Sequence, residues 1–264
     1  MTESFIPLLA ALAYLIAAGG LVRSLRDGRT QSRAILWLVL PAIVLHAVTH
    51  GLGWVRVQGP DLHFFAALSL VGLAMAALST LAASTQRMEA LGVVVYPLAA
   101  FLVLLYHFAG HGGGADLGWR LQLHAWLALL AYAALAVAAL IAVMLWFQER
   151  ALRRHQLRGW LRALPPLVQL EDLLFRSLGA SFVLLTLALV TGVMFVENLL
   201  AQHLWHKTVL SFLSWIVLAV LLFGRWRFGW RGPRAVKLTL TSMLLLLLAF
   251  FGSKFVLEVL LQRT

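Results

Sequence analysis

From Arg120 to Phe147 the chain reads RLQLHAWLALLAYAALAVAALIAVMLWF, an apolar run whose first turns carry an arginine and a histidine. About 20 helical residues, at about 1.5 Å each, cross a hydrocarbon core about 30 Å thick, so this run crosses with length to spare. Its hydrophobicity is continuous rather than alternating, which excludes a barrel strand. Lipid offers the backbone no hydrogen bonds, so such a run has to be helical. Arg120 and His124 stand four apart and share a helix face. With Trp119 at the interface, His124 lies about a turn inside hydrocarbon. An ionisable ring at that depth costs free energy unless it is partnered, which makes it a candidate functional residue.

The remainder of the chain repeats this pattern. Of 264 residues, 62% are hydrophobic and 12% charged. A soluble domain of this size has too little polar surface to cover so much apolar area, so the fold class is an all-α polytopic membrane bundle. The chain has no cysteine. Thiol–disulfide exchange, covalent haem attachment through CxxCH and thiolate metal ligation are thereby excluded.

Eight spans are expected: Phe5 to Val22, Ala34 to His50, His63 to Ala83, Leu91 to Phe108, Arg120 to Phe147, Ser177 to Val196, Thr208 to Phe223 and Leu238 to Leu257. Pro41 is expected to kink the second. The connection GLGWVRVQGPDLH follows that span, and GHGGGADLG reads as a flexible loop before the fifth. After the fifth, Leu157, Trp160, Leu161 and Leu164 lie among arginines as an interfacial basic helix, broken at Pro165-Pro166. No internal repeat is visible, and residues 1–264 read as one transmembrane domain.

The basic residues orient these spans. Sixteen of the 21 Lys and Arg fall on one side when the connections are alternated, among them Arg23, Arg87, Arg150, Arg176 and Arg234. The other side holds Arg56, Arg120, Lys207, Lys254 and Arg263. Positive charge marks the cytoplasmic side, so both termini are expected in the periplasm of a bacterial inner membrane, with no cleaved leader. The net charge of +11 is then a topology and lipid-headgroup signal, not a nucleic-acid patch.

That topology gathers the histidines. His46 and His50 lie about 20 and 25 Å from the cytoplasmic end of their helix, while His107 and His124 lie near outer ends. His63, His111, His203 and His206 lie in or beside outer connections, and only His155 falls on the other side. Two chemistries suit such a layer. One is a divalent metal such as zinc, with His46 and His124 as first candidates and the i,i+4 pairs His46/His50 and His107/His111 in support. The layer is poor in carboxylates, however: Asp61, Asp116 and Glu197 all fall in connections. The other is haem between neutral imidazoles, with basic residues for its propionates. Arg56, Arg120, Lys207 and Lys254 are placed for that.

Two segments resemble the cytochrome c assembly family, which includes CcsA-type, CcmC-type and HemX-like membrane proteins. The first is LHAWLALLAYAALAVAALIAVMLWF, similar to the family's span with a histidine at its outer end eight residues before a tyrosine, here His124 and Tyr132. The second runs from LEDLLFRSLGASFVLLTLALVTG through HKTVLSFLSWIVLAVLLFGRWRFGWRGPRAV, with the W-R-G turn at Trp230, Arg231 and Gly232. Together they cover about half the chain. The short, eight-span form resembles the HemX-like and YpjD-type inner-membrane branch. Where CcsA and CcmC proteins carry a tryptophan-rich segment that presents haem to an apocytochrome, this chain reads ENLLAQHLWHK, matching only at Lys207.

The resemblance thus implies a haem-handling protein, not an enzyme, that binds b-type haem near the outer face. It does not extend to delivery of haem onto a cytochrome. The cofactor-binding candidates are His46, His124, His203, His206, Arg120 and Lys207, and the expected partners are haem, lipid and other membrane or cytochrome c assembly proteins. The alternative is a divalent-metal transporter or accessory subunit without haem.

Overall fold

The apolar runs fold as helices throughout their described residues, because in hydrocarbon only intrasegment hydrogen bonds satisfy the backbone. The computed structural model describes residues 2–27, 33–86, 88–109, 118–154, 164–195 and 205–252. Among these, eight helices are long and apolar enough to cross a membrane. They are α1 (Thr2–Arg26), α2 (Arg33–Val57), α3 (Phe64–Gln86), α4 (Glu89–Phe108), α5 (Trp119–Arg153), α6 (Leu167–Phe195), α7 (Trp205–Phe228) and α8 (Pro233–Leu247). A π-helical turn, Leu248–Gly252, follows α8. The expected interfacial helix and the GHGGGADLG loop lie outside the described residues, apart from Leu164 and Gly118.

Two boundaries differ most from the sequence expectation. α2 continues through GLGWVRV to Val57, where the sequence reads as a connection. Two glycines cost a helix about 1 kcal/mol each relative to alanine, but tertiary packing overrides that penalty. The continuation places Trp54 one turn above His50, with ring centroids 6.4 Å apart. Gln58, at φ 54°, then ends the helix, and the Gly59 N–H closes back on the Trp54 carbonyl at 3.1 Å. α6 starts at Leu167, directly after the two prolines and ten residues before the expected Ser177.

The helices fall into two compact units. In the first, α1 packs on α2 and α4, and α3 also packs on α2 and α4, so the four helices close into a ring. Small residues bring the backbones together, as is usual where lipid supplies no hydrophobic drive between helices. Ala10, Ala17, Ala66, Ala67, Ala76 and Ala99 are fully buried. A Cβ on Gly72 would lie 2.8 Å from the Leu102 side chain, so α3 and α4 touch there at glycine distance.

In the second unit α7 packs on α6 and α8, and hydrogen bonds tie α5 to α6 and α8. α5 buries an alanine-rich face, including Ala131, Ala133, Ala138 and Ala142. Deep in this helix Ser181 of α6 donates to the Ala131 carbonyl, and Tyr132 donates to the Leu246 carbonyl. The α7–α8 turn is the W-R-G sequence. Gly229 (φ 65°) caps α7, Gly232 (φ 54°) precedes Pro233 at the first turn of α8, and Glu171 of α6 accepts the Gly232 N–H at 3.3 Å.

Candidate functional site

His124 occupies the second turn of α5 and leans on α6. Its Nδ1 lies 2.9 Å from the Ala188 carbonyl oxygen and 3.4 Å from the Thr191 hydroxyl. A carbonyl can only accept, so Nδ1 carries the proton and Nε2 keeps its lone pair. Thr191 donates to the carbonyls of Leu187 and Ala188, which fixes the polar edge the ring rests on. Gly192 makes the approach possible: a Cβ there would meet His124 Cε1 at 3.1 Å and Nδ1 at 3.4 Å. The outcome is a half-buried imidazole held through Nδ1, whose Nε2 is, in the neutral ring, the nitrogen left to bind an electrophile.

α6 also carries an aromatic ledge at Phe182 and Thr186. Trp215 of α7 donates its indole N–H to Thr186 at 2.8 Å and stacks on Phe182 and Phe212, with centroids 5.4 and 5.7 Å away. Below it Ser214 and Ser242 pair at 2.8 Å between α7 and α8. This cluster is on the α7 side of α6, whereas His124 meets Ala188 and Gly192 from α5.

The other sequence candidates are distributed as follows. Arg120, one turn before His124, places its guanidinium over the rings of Trp119 and Phe195, at 5.6 and 5.7 Å. His206 and Lys207 are half-buried in the first turn of α7. His203 lies outside the described residues, as do His111 and His155. Ala188, Thr191 and Gly192 were not singled out by sequence; the only hint was a Thr-Gly pair inside an otherwise aliphatic run.

His46 belongs to the first unit, where it is fully buried. Its Nδ1 lies 3.4 Å from the Tyr14 hydroxyl and its Nε2 2.9 Å from Ser69 Oγ. Both ring nitrogens are therefore engaged by protein. His50 reaches the same Ser69 oxygen from Nε2 at 3.0 Å and lies parallel to the Tyr106 ring at 4.4 Å. Tyr106 in turn donates to Asp61, which also holds His63. Among the described residues no group of three or more His, Asp or Glu is placed to hold a metal ion.

Comparison with known proteins gives the family. The model for "Cytochrome C assembly protein" matches residues 62–261. The chain is 33% identical over 258 residues to "Inner membrane protein YpjD" of Escherichia coli K12, covering 94% of this chain and 96% of that one. It is 39% identical over 151 residues to a 28.8 kDa protein of Azospirillum brasilense, covering 56% of this chain and 55% of that one. With "Cytochrome c biogenesis protein CcsA" of Prochlorococcus marinus MIT 9215 it shares 34% identity over 91 residues, covering 33% of this chain and 29% of the other. No solved structure matches it.

Proposed function

The chain belongs to the cytochrome c assembly protein family, and from that premise we propose that it binds b-type haem through His124 as part of haem handling in the inner membrane. The inner-membrane placement follows the name of the E. coli relative and the eight apolar helices. The observation that carries the reading is the His124–Ala188 hydrogen bond. A ligating histidine almost always gives its second ring nitrogen to a carbonyl or carboxylate, which sets the tautomer and raises the basicity of the ligating nitrogen. Here that second contact is already in place, so Nε2 is the nitrogen that would ligate an iron.

Haem, when bound, would supply the redox chemistry; the protein binds, orients and shields it. His124 would ligate the iron, and Arg120 and Lys207 would offer positive charge for the propionates. His206 and His203 are the candidates for a second axial nitrogen. His46 is left out of the site because Tyr14 and Ser69 already engage its nitrogens. With no side-chain acid–base chemistry to perform, the protein acts as a haem-binding protein and not as an enzyme. The site faces the periplasm in the orientation set by the basic residues.

The test is the visible spectrum of the full-length protein purified from haem-replete membranes. A Soret band with a low-spin bis-imidazole signature is expected, abolished or shifted by His124→Ala and unchanged by His155→Ala. A well-folded preparation that takes up no haem, or one whose spectrum ignores His124→Ala, overturns the reading.

A further inference from the structure

At one end of the second unit a cavity of about 300 Å³ lies between α5, α6 and the α7–α8 turn. Its polar lining comes from three elements: Glu149 of α5, Glu171 of α6 and Arg231 of the turn. Leu145, Leu167 and Pro233 supply the apolar part. The turn brings the two carboxylates together. Glu171 accepts the Gly232 N–H at 3.3 Å, and a Cβ on Gly232 would lie 3.4 Å from Glu149 Oε2. Both acids thus stand against the same glycine, one from each helix. Arg231 Nε lies 3.6 Å from Glu171 Oε2, beyond hydrogen-bond length. The Arg231 side chain is 61% exposed and that of Glu171 14%, so the guanidinium is at the mouth and the carboxylate inside.

The same end of the unit has the features of a bilayer interface. The Arg150 guanidinium lies over the Trp146 ring at 5.5 Å, and that of Arg234 over Trp230 at 6.0 Å. Val168 and Phe228, beside the cavity in sequence, are exposed apolar side chains. Tryptophan and arginine together at helix ends mark the level of lipid headgroups.

We propose that this cavity binds the headgroup of an aminophospholipid, with its primary ammonium between Glu149 and Glu171, its phosphate at Arg231 and its glycerol end along Leu145 and Leu167. The recognised chemistry is a phosphoethanolamine group. An ammonium carries three N–H donors for the two carboxylates, and a phosphate accepts from a guanidinium, so each charge of the ligand meets its opposite. Other occupants match fewer of these groups. A bare divalent cation would face the guanidinium and find two carboxylates, where calcium takes about six to eight oxygens. An anionic headgroup would bring its phosphate toward two carboxylates with no cation to offset them. A choline headgroup has the right charges but no N–H to donate. The exposed apolar side chains and the tryptophan–arginine pairs favour a lipid over the same group free in solution.

The experiment is native mass spectrometry of the full-length protein, released from micelles doped in turn with phosphatidylethanolamine, its mono-, di- and trimethylated forms, and phosphatidylglycerol, all with the same acyl chains. Phosphatidylethanolamine is expected to stay bound and phosphatidylglycerol to be lost. The monomethyl form, which keeps two N–H groups for two carboxylates, should also be retained. Full methylation, which gives phosphatidylcholine, should lower retention about 10- to 100-fold, the scale of a hydrogen bond between charged groups. Glu149→Gln leaves the Glu171–Gly232 hydrogen bond in place and should remove most of the preference for the ethanolamine lipid over the choline lipid. Arg231→Gln should weaken both alike, because both carry the phosphate. No readout depends on haem, and the wild-type lipid series stands alone if a variant does not fold. The proposal is overturned if the wild-type protein retains the ethanolamine and choline lipids equally, or if Glu149→Gln keeps the wild-type preference. It is also overturned if free phosphoethanolamine at equal concentration displaces the lipid, which would assign the cavity to a soluble ligand.

Discussion

At the scale of single residues, the haem site depends on how closely His124 can approach α6. The backbone of α6 is open to the ring only because position 192 has no side chain. Gly192→Ala places a methyl 3.1 Å from Cε1, tighter than ordinary carbon contact, so the ring or the helix must move by a few tenths of an ångström. Gly192→Val leaves no such accommodation, and overpacking of this kind costs about 1–3 kcal/mol. Haem affinity is therefore expected to fall modestly in Gly192→Ala and strongly in Gly192→Val, measured by haem titration of each purified variant. Arg120 poses a different choice. Its guanidinium lies over Trp119 and Phe195, which is how an arginine anchors at an interface. A propionate nearby would compete for it as a bidentate partner. If it takes that role, Arg120→Gln lowers haem affinity about 10- to 100-fold, the worth of a charged hydrogen bond of about 1.5–3 kcal/mol, and shifts the reduction potential. Arg120→Lys then recovers charge but not the fork. Titration and redox potentiometry on both variants check it, and unchanged values assign Arg120 to anchoring.

At the scale of elements, the W-R-G turn explains itself. The chain leaves α7 through Gly229 and enters α8 through Gly232, both at positive φ, and Trp230 folds back onto Gly224, where a Cβ would lie 2.3 Å from the indole. Gly224→Ala should displace Trp230 and loosen the joint, and Gly229→Ala adds about 1 kcal/mol of backbone strain. Both are expected to lower the thermal midpoint in detergent, Gly224→Ala by more, while leaving the His124–Ala188 contact and hence the haem spectrum in place. The existence of each helix was legible because continuous apolar runs in lipid admit one solution. Their ends were less so: the glycines of GLGWVRV read as a break, yet Trp54 packing beside His50 carries α2 through them. His124 was legible as an ionisable ring inside a span. Its partners were not, since a backbone carbonyl carries no sequence signal and Gly192 differs from any helical glycine only by what lies opposite. The Ser69 bridge was hidden for the same reason: a serine in an aliphatic helix is unremarkable until two imidazoles from another helix meet at it.

At the scale of the whole molecule, the distribution of charge predicts which way the protein faces. Eight crossings in sequence order assign the α1–α2, α3–α4, α5–α6 and α7–α8 connections to one side and the remaining connections with both chain ends to the other. The first group holds 16 of the 21 basic residues. Lys and Arg near span ends are retained on the cytoplasmic side, and short connections such as Arg23 to Arg33 and Arg225 to Lys237 are where that bias acts most directly. Trp226 and Phe228 are exposed at the end of α7, and Arg227 lies over the Phe228 ring at 5.8 Å. The start of α5, where Trp119 and Arg120 stand, is assigned to the opposite side in the proposed topology, which has His124 reached from the periplasm. The check uses the absence of native cysteine. Gly113→Cys, in the connection before α5, and Gly159→Cys, in the basic connection after it, each introduce a single thiol. An impermeant maleimide added to intact spheroplasts should label Gly113→Cys and spare Gly159→Cys until the membrane is opened. Equal labelling of the two, or the reverse pattern, would place the charge on the wrong side and move the His124 site to the cytoplasmic face.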